Sequence, residues 1–142
     1  MSLNLNFDDV VEQKPLPKGR YPTQITAGEL KETGERSKNP GRPIMQFTVG
    51  FTGPSKEEQA APVVRHYVSL PHEEDEPASY NFKLLLLKRF LVTYNIPFSN
   101  DFDPEETVFA AIGQTAEVEV DLTEPDDNGN VYNRLVLPKL RD

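Results

Sequence analysis

The order of its patterned segments constrains this chain more than any single motif. Three runs with two-residue alternation come first, a leucine-rich helical run follows, and two more alternating runs flank an Asn128-Gly129 turn. Residues 1–19 read as an extended arm, because Pro15 and Pro17 interrupt any ladder and Asp8, Asp9 and Glu12 keep the segment solvated. The first strand is expected over 20–32, with Tyr21, Thr23, Ile25 and Ala27 on one face and Arg20, Gln24 and Thr26 on the other. Gly28 marks a bulge that lets so long a strand bend. A basic loop with Arg36, Lys38 and Arg42 follows. The second strand, 44–52, alternates Met45, Phe47, Val49 and Phe51 with Gln46, Thr48 and Gly50. Gly53-Pro54-Ser55 opens another loop. The third strand, 63–70, sets Val64, His66, Val68 and Leu70 against Arg65, Tyr67 and Ser69.

An acidic connector, 71–78, leads to a helix predicted over 79–95 that stops before Ile96-Pro97. Leu84 to Leu87, with Phe82, Phe90, Leu91, Val92 and Tyr94, cover almost its whole circumference, so more than one side should be buried. Asp103-Pro104-Glu105-Glu106 has the chemistry of a helix start, and Gly113 that of its end. The fourth strand, 114–123, turns Ala116, Val118, Val120 and Leu122 inward and Glu117, Glu119 and Asp121 outward. The fifth, 131–140, buries Leu135 and Leu137 and leaves Tyr132 and Arg134 outside. Strand–strand–strand–helix–strand–strand predicts a mainly β domain over 20–142. The expected form is a five-stranded OB-type barrel, with one long helix between strands three and four and a short helix before strand four.

Charge is segregated along the chain. Residues 14–70 carry nine Lys or Arg against five Glu, whereas 101–128 carry ten acids and no base, within a net charge of −8. Screening confines each charge to roughly 10 Å, so a face built from 14–70 and 129–142 is positive on an acidic molecule. No apolar run reaches the roughly 18 residues of a membrane span. The first nine residues lack a basic and an apolar signal region, so a soluble, cytoplasmic protein is expected. The absence of cysteine excludes disulfides, thiolate metal sites and a cysteine nucleophile.

Enzyme signatures are missing. There is no phosphate-binding glycine loop, no Gly-x-Ser-x-Gly elbow and no His-Glu-x-x-His pair. His66 shares its strand face with apolar residues and reads as a core histidine. His72 with Glu73, Glu74 and Asp75 reads as a solvated acidic loop rather than a metal site. Asp126, Asn128 and Asn130 open like a calcium loop, but Val131 and Leu137 stand where glycine and glutamate are required, and a hairpin turn accounts for them. Glu105 and Glu106 are explained by helix capping. No catalytic residue, metal or cofactor is expected.

A binding surface is better supported. Single-strand recognition needs cations that track phosphates and flat side chains on which bases stack. In this barrel order the ligand crosses strands two and three, flanked by the one–two and four–five loops. Arg20, Arg36, Lys38, Arg42, Arg65, Tyr67, Tyr132 and Arg134 supply both kinds of group to that predicted side. The acidic fourth strand would have to lie away from the nucleic-acid path. The alternative is a protein-interaction module of the same fold, using the acidic ribbon and the apolar helix.

Several segments carry a family resemblance over roughly residues 14–140: Leu16-Pro-Lys-Gly-Arg-Tyr21, Ala27-Gly-Glu-Leu-Lys-Glu-Thr33 and Gly41-Arg-Pro-Ile-Met-Gln-Phe47, then the helix from Lys83 to Leu91 and Asn95-Ile-Pro97. The chain resembles bacteriophage single-stranded-DNA-binding proteins of a family long catalogued as of unknown function. The resemblance implies an OB fold and non-catalytic, sequence-tolerant binding of single-stranded DNA in phage replication or recombination, in the host cytoplasm. Replication or recombination proteins are further expected partners, and a homodimer is expected, the spare apolar helix face meeting a second subunit or the N-terminal arm. Recruitment by an acidic C-terminal tail is not expected, since the chain closes on Lys139-Leu140-Arg141-Asp142.

Overall fold

The computed structural model describes residues 1–34, 36 and 40–140. A 3-10 turn at Phe7–Asp9 precedes β1 (Gly19–Glu32), β2 (Pro43–Phe51), α1 (Lys56–Ala60), β3 (Val64–Ser69), α2 (Pro77–Thr93), α3 (Pro104–Ala111), β4 (Thr115–Leu122) and β5 (Asn133–Val136). All pairings in the sheet are antiparallel, in the order β3-β2-β1-β4-β5. The two outer strands, β3 and β5, also approach each other, so the sheet is a nearly closed barrel. Among the described residues no helix is long and apolar enough to cross a membrane.

Alternation in β2 turns Met45, Phe47 and Val49 into the core, where Ile25, Val64, Val68, Val118 and Val120 meet them. Strand β1 serves both halves of the sheet, pairing its first residues with β4 and its later ones with β2. Its register shifts between Ile25 and Ala27. The bulge therefore sits just before Gly28, and Ala27 faces solvent instead of sharing the core face with Ile25. Beyond the shift the parity reverses, so Gly28 points inward opposite Phe47 while Glu29 and Lys31 point out.

That inward glycine is required by its neighbours. A Cβ at Gly28 would lie 2.9 Å from Phe47 Cδ1 and 3.2 Å from Val108 Cγ1 of α3. Gly28→Ala is expected to destabilise the fold by about 1–3 kcal/mol through overpacking. Urea unfolding read by circular dichroism measures this, and an unchanged midpoint would refute it.

Helix α2 begins at Pro77, two residues before the predicted start, and closes on Asn95 at φ 54°. Ile96 N–H donates to the Leu91 carbonyl at 2.8 Å and Asn95 N–H to that of Val92 at 3.2 Å, a Schellman closure. Only one stripe of α2 is buried, by Leu87, Phe90, Leu91 and the capping Tyr94. Tyr80, Phe82, Leu84, Leu86 and Val92 remain exposed, so the expectation of burial on several sides does not hold within one chain. Tyr94 reaches through the core to Thr23, with 2.8 Å between hydroxyls. Thr23 gives its proton to the Ala116 carbonyl at 2.7 Å, which leaves Tyr94 as the donor. Burial is the largest cause that pushes the Tyr94 hydroxyl pKa up.

Two segments differ from expectation for local reasons. Residues expected as loop after β2 form α1, capped where Ser55 Oγ accepts from Glu58 N–H at 3.1 Å and donates to Glu58 Oε1 at 2.9 Å. The Ser-x-x-Glu capping pattern was present in the sequence. Strand β5 is four residues long, far shorter than predicted, although Leu135 and Leu137 do pack on the core.

Candidate nucleic-acid interface

The outer surface of the barrel is built from cross-strand rows. Arg65 of β3 stands beside Thr48, and Tyr67 beside Gln46, which in turn faces Glu29 of β1. Ser69, Ile44 and Lys31 form the next row. Strand alternation thus puts Arg65 and Tyr67 on one face two residues apart, and Tyr67 is 55% exposed. Among the described residues Arg65 has no ion-pair partner, so its charge is free for an anion.

The other candidate residues divide by their partners. Arg36 is exposed in the loop between β1 and β2, and Lys38 lies outside the described residues. The base of that loop is tied where Thr33 N–H donates to the Arg42 carbonyl at 2.8 Å, with Gly41 at φ 77° making the turn. Arg42 is instead engaged by acids. Its side chain is only 17% exposed, and its guanidinium lies 3.2 Å from Glu74 and 3.6 Å from Asp75. Asp75 is the hub of this cluster. It accepts from the His72 N–H at 2.9 Å and from Lys83 Nζ at 3.0 Å. Those bonds, the backbone one first, hold its carboxyl below the usual range. The connector read as a solvated acidic loop is therefore anchored at Asp75, whose side chain is nearly inaccessible.

Arg20 and Arg134 are exposed and paired with the acidic ribbon. Arg20 Nε lies 3.3 Å from Glu117 Oε1, and Arg134 Nη2 lies 3.4 Å from Asp121 Oδ2. The Leu122 N–H, then Arg134, hold the Asp121 carboxyl below its ordinary pKa. Exposed pairs of this kind are worth at most about 1 kcal/mol, so either arginine can exchange a carboxylate for a phosphate. Tyr132 is exposed just before β5, its hydroxyl 3.4 Å from Asp126 Oδ2. Asp126 Oδ1 accepts the N–H groups of Asn128 and Asn130 at 2.9 and 2.8 Å, so the loop closes on its own carboxylate.

The strand order keeps the acidic ribbon off the Arg65–Tyr67 face. Strand β4 is separated from β3 by β2 and β1 on one side and by β5 on the other. Arg65 and Tyr67 on β3, with Tyr132 and Arg134 at β5, instead flank the barrel closure, where the two strands run in the same direction. Arg20 belongs to the acidic side.

Two residues of this face escaped the sequence reading. Lys31 joins it because of the bulge-driven change of parity, and it lies 3.2 Å from Glu29. Gln46 is on the polar side of β2 yet only 6% exposed, and among the described residues its Oε1 has no hydrogen-bond partner. No period in the sequence reports that kind of burial. Comparison with models of known families gives no match, and none of the curated proteins compared matches the chain.

Proposed function

We infer that this chain is a non-catalytic OB-type barrel that binds single-stranded DNA with little sequence preference, serving phage DNA replication or recombination. The observation that carries the reading is the exposed Arg65–Tyr67 pair on β3, uncommitted to any acid among the described residues. The strand order and the placement of α2 between β3 and β4 support the OB assignment. Arg65, Arg36 and Arg134 neutralise phosphates and release counterions, while Tyr67 and Tyr132 offer ring faces to bases. The acidic outer face of β4 repels phosphate beyond Arg134, which stands opposite Asp121 at its border.

The test is fluorescence anisotropy with labelled oligo-dT across a salt series, repeated with duplex. Tyr67→Ala is expected to weaken single-strand binding by about 1–3 kcal/mol. Arg65→Ala is expected to flatten the log–log salt slope by about 0.7. Equal binding of duplex and single strand, or wild-type behaviour of both variants, would defeat the assignment. A protein-interaction role is the second reading, favoured by Phe109 of α3, which is 82% exposed.

A further inference from the structure

The C-terminal half of α2 borders a cleft of about 550 Å³, closed by β4 and by the segment that follows β5. Lys88 and Arg89 stand one helical turn before Val92 and Thr93, so all four line it from one side of α2. Glu117 and Glu119 enter from β4, Arg20 from β1 and Lys139 from the segment beyond β5. At this end of β4 the acids are outnumbered. Glu117 is already met by Arg20 at 3.3 Å. That leaves Glu119 against Lys88, Arg89 and Lys139, none of which has an ion-pair partner among the described residues. Arg89 is the residue that calls for a ligand. Its Nε is buried, and among the described residues it has no hydrogen-bond partner. Burying a charged donor without an acceptor is costly, and a bound anion offsets that cost.

We propose that this cleft is a phosphate site in which Arg89, Lys88 and Lys139 hold the anion. The arginine fork matches two phosphate oxygens, and the lysines add point charges. Val92, Val118 and Leu137 supply apolar wall, and such surroundings strengthen the attraction between the cations and an anion. Among the described residues no aromatic ring lines the cleft, so a base has nothing to stack on. The phosphate group itself is what the site recognises. Two sources offer that group, the backbone of single-stranded DNA and a free phosphorylated compound. The cleft shares no residue with the Arg65–Tyr67 pair and stands whether or not that pair binds DNA.

Inorganic pyrophosphate is the probe, titrated without magnesium into the full chain and followed by amide NMR and calorimetry. Saturable shifts are expected at residues 88–93 and 136–140. Arg89→Gln and Lys139→Gln are each expected to weaken binding, the first at least about tenfold. Glu119→Gln removes the opposing carboxylate and is expected to tighten binding by up to about fivefold. Lys56→Gln, whose native ammonium pairs with Asp9 instead, is expected to change nothing. Circular dichroism checks that every variant keeps the fold. Binding that fails to saturate below about 10 mM overturns the proposal. So does saturable binding that Arg89→Gln and Lys139→Gln leave unchanged. Oligo-dT is then added to the pyrophosphate complex. Displacement identifies the DNA backbone as the source of the phosphate, and an undisturbed complex identifies a free compound. A chain that binds oligo-dT but not pyrophosphate keeps the single-strand reading and loses this site. The reverse result keeps the site and loses that reading.

Discussion

Phe90→Ala is expected to lower the unfolding free energy by about 3–5 kcal/mol. Phe90 is fully buried and joins α2 to the barrel through two rings, while a third belongs to the helix's own cap. It stacks on Phe47 at 4.6 Å and on His66 at 5.3 Å, and meets Tyr94 at 5.3 Å. Removing it forfeits apolar burial and leaves a cavity that rigid strands on β2 and β3 cannot collapse to fill. The lost ring contacts, about 0.5–1.5 kcal/mol for an aromatic pair beyond area, are part of that total. Against a typical total of 5–15 kcal/mol, such a loss consumes much of the stability. Urea unfolding followed by circular dichroism gives the value. A loss below about 1 kcal/mol would mean that α2 is not held to the barrel by this stack.

Phe90 also marks where sequence reasoning succeeds and where it stops. The alternation of Met45, Phe47, Val49 and Phe51 exposes the core face of β2, because a two-residue period is a local property. The same logic places His66 among apolar neighbours, and its ring does stack on Phe90. The turn at Asn128-Gly129 is equally local, with Gly129 at φ 79°. Parity fails in β1, where a register shift between Ile25 and Ala27 moves Ala27 out and Lys31 onto the outer face. Gly28 announces a bulge, but not on which side of it the extra residue sits. The basic loop shows the deeper limit. Arg42 counts as +1 in any charge sum, yet Glu74 and Asp75, more than thirty residues later, occupy its guanidinium. Charge sums see residues and not partners, so they do not separate Arg65, without an ion pair among the described residues, from the held Arg42. The helix had the opposite fault. Its apolar circumference implied cover on several sides, and the single chain covers one.

Acidification should cost this fold stability through His66 in particular. Burial against Phe90 lowers its pKa from 6.5 to about 4, so the native imidazole stays neutral where the unfolded one is charged. The sign follows from proton binding. Between those two values the unfolded chain takes up a proton that the native state refuses, so stability falls as pH falls. The contribution is fully present above pH 6.5 and is lost as the pH descends to about 4. At about 1.4 kcal/mol per pH unit, the loss between pH 7.5 and 4.5 is about 2.5 kcal/mol. Asp75 acts in a lower window, because its depressed carboxyl titrates only below the ordinary value of 3.8. His66→Phe keeps a flat ring on Phe90 and removes the titration. Urea unfolding at both pH values should therefore show a drop in the wild type that exceeds the variant's by about 2.5 kcal/mol. Carboxylates elsewhere cancel in that difference, since both proteins carry them. Phe90→Ala supplies the converse test, for opening the ring stack to water should return the His66 midpoint toward 6.5 in a proton NMR titration. A native midpoint already near 6.5 in the wild type would show that His66 is hydrated, and the acid sensitivity would then belong to the carboxylates.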